Sequence, residues 1–321
     1  MTVSRLLGNP RTAPLLILIG LALVLGLIDP RVVSPANLGT IVIVAAPVVL
    51  IALSAMIVLI SGGIDLSAGM TATFCAIVMG TVQVTTGSLA LTLLAGLAAA
   101  MVVGLANGLL VSVLRIPPFI ATLATMVMLQ GLTLYSTRGG VLIVKDPVLR
   151  LIGQGTIFQV PLIVLFAAAA AAICGFVLRN TVPGLRIYAI GSDPVAAKLS
   201  GIRPIRQLVV TYLFASVFIF LCACALIGRV PIVTPTMGGT SLLLDALSAA
   251  VLGGVSIFGG SGTVVGLVCG ALAVSLITTA TQIFGLDPSA IGLVKGGIIL
   301  VVLALNRGIA WVSSRAMRLP A

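Results

Sequence analysis

Histidine and glutamate are absent from this chain, and its only six carboxylate side chains are aspartates spread over 321 residues. Without either residue, the usual general bases, glutamate pairs and histidine-containing metal sites are excluded. No catalytic residue and no metal site is expected. Charge of either sign is scarce: Asp, Lys and Arg make up 7% of the chain, where a soluble domain carries roughly a quarter. That is too little to solvate a surface of this size, so the implied solvent is lipid. Lipid admits only helices or closed barrels, and long apolar runs, in place of roughly ten-residue alternations, select helices. An apolar content of 60% and a mean hydropathy of +1.34 agree with an all-α polytopic membrane protein.

Two further absences remove chemistry. No two of the cysteines Cys75, Cys174, Cys222, Cys224 and Cys269 have the C-x-x-C spacing, and all lie in apolar runs, so they are expected to pack as small apolar residues. Lys145, Lys198 and Lys295 follow Val144, Ala197 and Val294. A phosphate-binding loop needs Gly-Lys-Ser/Thr, so the chain cannot hydrolyse ATP by that route.

What is present is a series of apolar runs broken by charge, proline or glycine. Ten candidate spans follow: Pro14 to Ile28, Leu38 to Ile60, Leu66 to Val84, Leu89 to Leu114, Phe119 to Thr137, Pro161 to Leu178, Leu208 to Leu226, Leu242 to Phe258, Thr263 to Phe284 and Ala290 to Val312. They leave no room for a second domain, so residues 1–321 form one transmembrane unit. Arg5 and Arg11 ahead of a short first run suggest a signal peptide. However, Ile28-Asp29-Pro30-Arg31 offers no small-x-small cleavage site, and a retained helix is expected.

Basic residues are held on the cytoplasmic side. A cytoplasmic N-terminus places Arg5, Arg11, Arg115, Arg179, Arg186, Lys198, Arg203, Arg206, Arg315 and Arg318 inside, and Arg31, Arg138, Lys145, Arg150 and Arg229 outside with Asp29, Asp146, Asp245 and Asp287. Both termini are then cytoplasmic. The net charge of +11 is scattered over helix ends, which does not describe a nucleic-acid surface.

Small residues spaced by four permit close helix approach in lipid. Such rows are Gly96, Ala100, Gly104 and Gly108; Ala246, Ala250 and Gly254; Gly262, Gly266 and Gly270; and Gly292 and Gly296. Polar residues at membrane depth are Asn107, Gln130, Gln282, Lys295 and Asn306, each needing a partner or a wet cavity. Lys295 is close enough to the outer end to snorkel. An Asp/Glu/His proton relay is missing, which argues against proton-driven transport; a sodium site of carbonyls and hydroxyls stays open.

Two glycine-rich interruptions stand out, Ser61-Gly62-Gly63-Ile64-Asp65-Leu66-Ser67-Ala68-Gly69 and Gly253-Gly254-Val255-Ser256-Ile257-Phe258-Gly259-Gly260-Ser261-Gly262. Both fall at inner ends of spans. They suit either capped turns or broken, re-entrant helices lining a path. The longest cytoplasmic loop, Arg179 to Gln207, contains one short helix defined by its caps: Asp193 at the N-cap, Pro194 in the first turn, and Gly201 as terminator. So short a helix needs a partner surface, which points to docking of a separate cytoplasmic protein.

Taken together, Ser61 to Gly69, Asn107-Gly-Leu-Leu with Arg115-Ile-Pro-Pro-Phe-Ile-Ala-Thr-Leu123, Ile187-Tyr-Ala-Ile-Gly191 with Ala196-Ala-Lys-Leu-Ser-Gly-Ile202, and Gly253 to Gly262 resemble the ribose/xylose/galactose-type permeases of bacterial ABC sugar importers. The resemblance runs in order over nearly the whole chain. It implies a multi-pass protein of the bacterial inner membrane that translocates a monosaccharide or related small polyol. It further implies a second permease copy or paralogue, a periplasmic sugar-binding protein, and a cytoplasmic ATPase with two nucleotide-binding domains that holds ATP and Mg, leaving no cofactor in this chain. The segment Tyr188 to Ile202 is similar to the family's ATPase-coupling region, so Arg186, Tyr188, Gly191, Asp193, Pro194, Lys198 and Gly201 are the coupling candidates. Candidates for the translocation path are Gly62, Gly63, Asp65, Ser67, Asn107, Thr122, Thr125, Gln130, Gly253 and Gly254. The sequence departs from the family at Val195 and Leu244, where glutamate is common, and at Thr278-Thr279-Ala280-Thr281. A permease for branched-chain amino acids or nucleosides, and an ion-coupled secondary transporter, remain alternatives.

Overall fold

A computed structural model of the chain describes residues 12–287 and, beyond them, 292–293 and 296–297. The elements in order are α1 (Ala13–Ile28), a 3-10 turn (Pro30–Val33), α2 (Pro35–Ile60), α3 (Ala68–Thr86), α4 (Leu89–Ser112), α5 (Pro118–Thr137), β1 (Leu142–Ile143), α6 (Pro147–Gln154), β2 (Thr156–Ile157), β3 (Val160–Pro161), α7 (Leu162–Asn180), α8 (Val182–Ser192), α9 (Pro194–Leu199), α10 (Pro204–Arg229), β4 (Ile232–Val233), α11 (Gly239–Leu252) and α12 (Val264–Ile283). Among the described residues, α2, α3, α4, α5, α7, α10 and α12 are long and apolar enough to cross a membrane, while α1 and α11 are shorter apolar helices. Each of the first nine predicted spans therefore contains a helix. The tenth, with Lys295 and Asn306, lies outside the described residues apart from 292–293 and 296–297.

The bundle is organised around α2. From Ile41 to Ile60 its only polar side chain is Ser54, and a helix apolar on every face belongs in an interior. The most apolar window of α2 is 83% buried, against 28% for α4 and α5, which leave broad apolar faces exposed. Around α2 pack α10, α11, α12 and α7, and α1 lies against α12. All five cysteines are buried and unpaired, as their apolar settings imply.

Two of the predicted small-residue rows are helix seams. Along α4, Gly96 faces Met79 and Phe220, Gly104 faces Ser216 and the Tyr212 carbonyl, and Gly108 faces Val209, so the row forms the contact with α10. In the α11–α12 seam the glycine in contact is Gly253, against Gly266 and Leu267, while Gly270 meets the Ala249 carbonyl. Gly254, the predicted member of that row, instead turns the chain at φ +74°. That turn corrects the predicted eighth span, which stops at Leu252 and not at Phe258.

Three further findings concern connections. The stretch 179–207 is mostly helical: α8 precedes the predicted short helix, with Thr181 Oγ1 accepting from Gly184 N at 3.4 Å as its cap. Between Arg138 and Val160 stands α6, whose cap is Asp146 Oδ1 accepting from Val148 N and Leu149 N, each at 2.9 Å. Asp146-Pro147 thus repeats the signature of Asp193-Pro194. Finally, the connection Arg229 to Ser241, between the seventh and eighth predicted spans, divides. Its start pairs as β4 with β1, Val233 opposite Leu142. Its end runs back into the bundle, where Thr73 Oγ1 accepts from Gly238 N at 3.0 Å and Gly239 N at 3.2 Å. Since Gly69 has no Cβ, the Gly239 backbone lies directly against the first turn of α3, and α11 starts deep beside that turn.

Candidate functional site

The first glycine-rich interruption ends α2. Gly62 N donates to the Leu59 carbonyl at 2.9 Å and Gly63 N to the Val58 carbonyl at 3.0 Å, and Gly62 takes φ +84°, which glycine adopts without Cβ strain. Asp65 then folds onto the start of the next helix: its Oδ1 accepts from Ser67 N at 2.8 Å and from Ser67 Oγ at 2.6 Å. Asn107 Nδ2 on α4 donates to Ser67 Oγ at 2.8 Å, and Thr125 Oγ1 on α5 donates to Asn107 Oδ1 at 2.7 Å. Thr122 Oγ1 accepts from Leu66 N at 3.1 Å. Asp65, Ser67, Asn107, Thr122 and Thr125 are all buried. The turn is thereby pinned to α4 and α5 through one continuous chain of hydrogen bonds. Burial pushes the Asp65 carboxyl up from its ordinary range, opposed by the hydrogen bonds from Ser67 and from the Ala68 N–H.

Of the predicted path residues, Gln130 stands apart, exposed on α5. Gly253 lies in the α11–α12 seam and Gly254 in the turn after α11. The sequence pattern did not single out Gln83, whose Nε2 donates to Asp146 Oδ2 at 3.1 Å and whose Oε1 accepts from Thr92 Oγ1 at 2.6 Å. This second buried network ties α3 and α4 to the cap of α6. The aspartate-proline pair at 146–147 is the signal that marks it.

The predicted coupling candidates converge on backbone. Gly191, at the end of α8, lies against the Ile60 carbonyl so closely that a methyl group there would overlap it. That carbonyl also accepts from Gly260 N at 2.9 Å. Gly259 takes φ +93°, and a Cβ on it would stand 2.6 Å from the Gly191 carbonyl and 3.1 Å from Gly62. Tyr188 Oη donates to the Gly262 carbonyl at 2.8 Å. So the end of α2, the end of α8 and the turn between α11 and α12 meet at one glycine-lined junction, which joins both glycine-rich motifs to the predicted coupling segment. Side chains larger than hydrogen would hold these three backbones apart.

Beyond the junction stands α9, capped as its sequence predicts. Asp193 Oδ1 accepts from Val195 N at 2.9 Å and Ala196 N at 3.0 Å, and Gly201 ends the helix at φ +81°. Its outer surface carries Val195 and Leu199, 69% and 85% exposed, beside Lys198. Arg186 lies on α8 and Pro194 in the first turn of α9, both exposed.

A helical bundle of this apolarity, with glycine-packed seams and seven described helices long and apolar enough to cross a membrane, is that of a polytopic membrane protein. The sequence comparisons agree: residues 37–303 match the family described as branched-chain amino acid transport system / permease component, and the chain belongs to that family. It is 32% identical over 299 residues to the ribose import permease protein RbsC of Bacillus subtilis, covering 92% of each chain. It is 30% identical over 319 residues to the fructose import permease protein FrcC of Rhizobium meliloti, covering 96% of this chain and 88% of the relative. To the galactose/methyl galactoside import permease protein MglC of Salmonella typhimurium it is 32% identical over 297 residues, 87% and 88% of the two chains. No solved structure matches the chain.

Proposed function

We propose that the chain is the permease subunit of an ATP-binding-cassette importer of the bacterial inner membrane, carrying a monosaccharide or small polyol. The reading rests on one observation above all: the backbone junction of Ile60, Gly191 and Gly260, which links the exposed cytoplasmic helices to the bundle. In this reading the chain crosses the membrane ten times with both termini cytoplasmic. It pairs with a second permease copy or a paralogue, and a cytoplasmic ATPase with two nucleotide-binding domains docks on α9. ATP and Mg are held by that ATPase, and a periplasmic sugar-binding protein delivers the solute.

The mechanism follows from the contacts. Closure of the ATPase pushes α9, and because Gly191 leaves no side chain to absorb the motion, the push passes from α8 to the end of α2 and the α11–α12 turn. The glycine seams let α11 and α12 shift without repacking bulky side chains. Thr236, Thr240 and Ser241 are exposed on the approach to α11 and its first turn. Exposed hydroxyls at membrane depth suit a wet path, and they suit a sugar, which needs hydroxyl and amide contacts and no ionic cage. The buried Asp65–Ser67–Asn107–Thr125 chain, its groups bonded to one another, holds the turn beside that path.

Two measurements test this. Proteoliposomes containing the chain, its ATPase and its binding protein should take up a monosaccharide only with internal or external ATP at the ATPase face; uptake by the chain alone under an ion gradient, or preference for an amino acid, would overturn the reading. Asp193→Ala removes the cap of α9 at a cost of about 1 kcal/mol, so solute-stimulated ATP hydrolysis should fall about fivefold. Asp193→Asn, which keeps a capping oxygen, should restore most of it, and equal activity in all three proteins would count against docking on α9.

A further inference from the structure

Where α9 gives way to α10, the coupling candidates Arg186, Lys198 and Gly201 share a surface with Arg203 and Arg206, which the coupling reading does not use. Arg186, Arg203 and Arg206 surround a cleft of about 360 Å3. Its floor is the buried Gln207, whose Nε2 donates to the Pro183 carbonyl at 3.2 Å and so fixes α8 to the first turn of α10. A second hollow of about 570 Å3 adjoins it, sharing Gly201, Ile202, Arg203 and Arg206, with Pro204 and Ile205 as its apolar wall. Lys198 stands at the edge of this second hollow. Among the described residues the side chains of these four cations make no hydrogen bond and no ion pair; the ion pair observed is Arg31 with Asp29, between α1 and α2. Asp193, the nearest acid in sequence, directs its Oδ1 to the cap of α9.

Four like charges gathered without a counter-charge repel one another, and an anion seated among them relieves that repulsion. The place decides which anion. Pro204 begins a 26-residue apolar helix that crosses the membrane, so the cleft stands where that helix leaves the lipid. A free phosphate would satisfy the arginines and leave the hollow beside Ile202 and Ile205 empty. A phospholipid fills both, its phosphate in the polar cleft and the start of an acyl chain along the apolar wall.

We propose that this paired cleft binds an anionic phospholipid, with Arg186, Arg203 and Arg206 holding the headgroup. Basic pockets at cytoplasmic helix ends are suited to such headgroups, and guanidinium forks match phosphate oxygens. The site spans Gly201, the joint between α9 and α10, so an occupied cleft ties the angle of the docking helix to the lipid around it.

The test uses the full chain in lipid nanodiscs and reads retained lipid by native mass spectrometry. Phosphatidylglycerol should be retained in preference to phosphatidylcholine. Arg203→Gln and Arg206→Gln should each cut that preference about fivefold, and the double variant roughly twenty-five-fold. Arg203→Lys with Arg206→Lys should keep most of it. Should the double glutamine variant fail to fold, each single variant carries the same reading. Unchanged preference in the glutamine variants would overturn the proposal. So would displacement of the lipid by inorganic phosphate, which would make the cleft a simple anion site. Weakened ATPase binding with lipid retention intact would assign the arginines to an acidic protein surface instead.

Discussion

A methyl group on Gly191 is expected to uncouple ATP hydrolysis from solute uptake. In Gly191→Ala the new Cβ overlaps the Ile60 carbonyl and stands 2.8 Å from Gly260 N, between the two partners of the hydrogen bond that closes the junction. Overpacking of this kind costs about 1–3 kcal/mol, and the contact relieves it by parting α8 from α2. A loss of about 1.4 kcal/mol is tenfold in an equilibrium, so uptake in proteoliposomes should fall about tenfold or more while ATP hydrolysis persists. The comparison is Gly87→Ala. Gly87 has a positive φ, +65°, and open space around its Cβ position. Alanine there strains the backbone by roughly 1–2 kcal/mol and should leave uptake per ATP unchanged. Equal loss of coupling in both variants would show that general destabilisation, and not the junction, is responsible.

The second large effect belongs to Asp65. Replacing it with alanine strips the acceptor from Ser67 N and Ser67 Oγ, both buried. An unsatisfied buried donor costs about 1–3 kcal/mol; the hydroxyl can rotate to another acceptor, but the backbone N–H cannot. Asp65→Ala should therefore lose about 3 kcal/mol of stability, read as thermal unfolding in detergent. Asp65→Asn keeps an acceptor oxygen in place and should cost less than about 1 kcal/mol. Asn107→Ala falls between them, near the 0.6 to about 1.7 kcal/mol measured for interhelical hydrogen bonds in membranes, because Thr125 Oγ1 also bonds the Ala121 carbonyl at 3.1 Å. If Asn107→Ala proved the most damaging of the three, the turn would not be anchored through Asp65.

These two sites differ in how far they can be read from residues alone. Asn107 and Thr125 stand 18 positions apart and Ser67 another 40 before Asn107; each is visible as a polar residue in an apolar run, but their bonding to one another depends on the packing of α3, α4 and α5. Helix α9 is the opposite case. Its cap, its proline and its terminating glycine are local, acting through hydrogen bonds two or three residues long, so its bounds follow directly from Asp193, Pro194 and Gly201. Helix α6 follows the same local code at Asp146-Pro147, and α8 follows Thr181 with Pro183 in its first turn.

Whatever depends on solvent and on near neighbours is legible in the residues alone. The lack of Glu and His, the long apolar runs and the cap residues establish a helical membrane protein, the helices of the first nine spans and the short helix α9, because lipid and short-range hydrogen bonds act on each segment alone. Packing of the whole bundle sets the meeting of the two glycine-rich motifs with Gly191 at a single carbonyl, the place of Gly253 and not Gly254 in the α11–α12 seam, and the start of α11 beside Gly69. Those outcomes turn on backbone approach between segments up to 200 residues apart, as between Ile60 and Gly260. Glycine permits such approach at many positions, and only the packed bundle selects which of them meet.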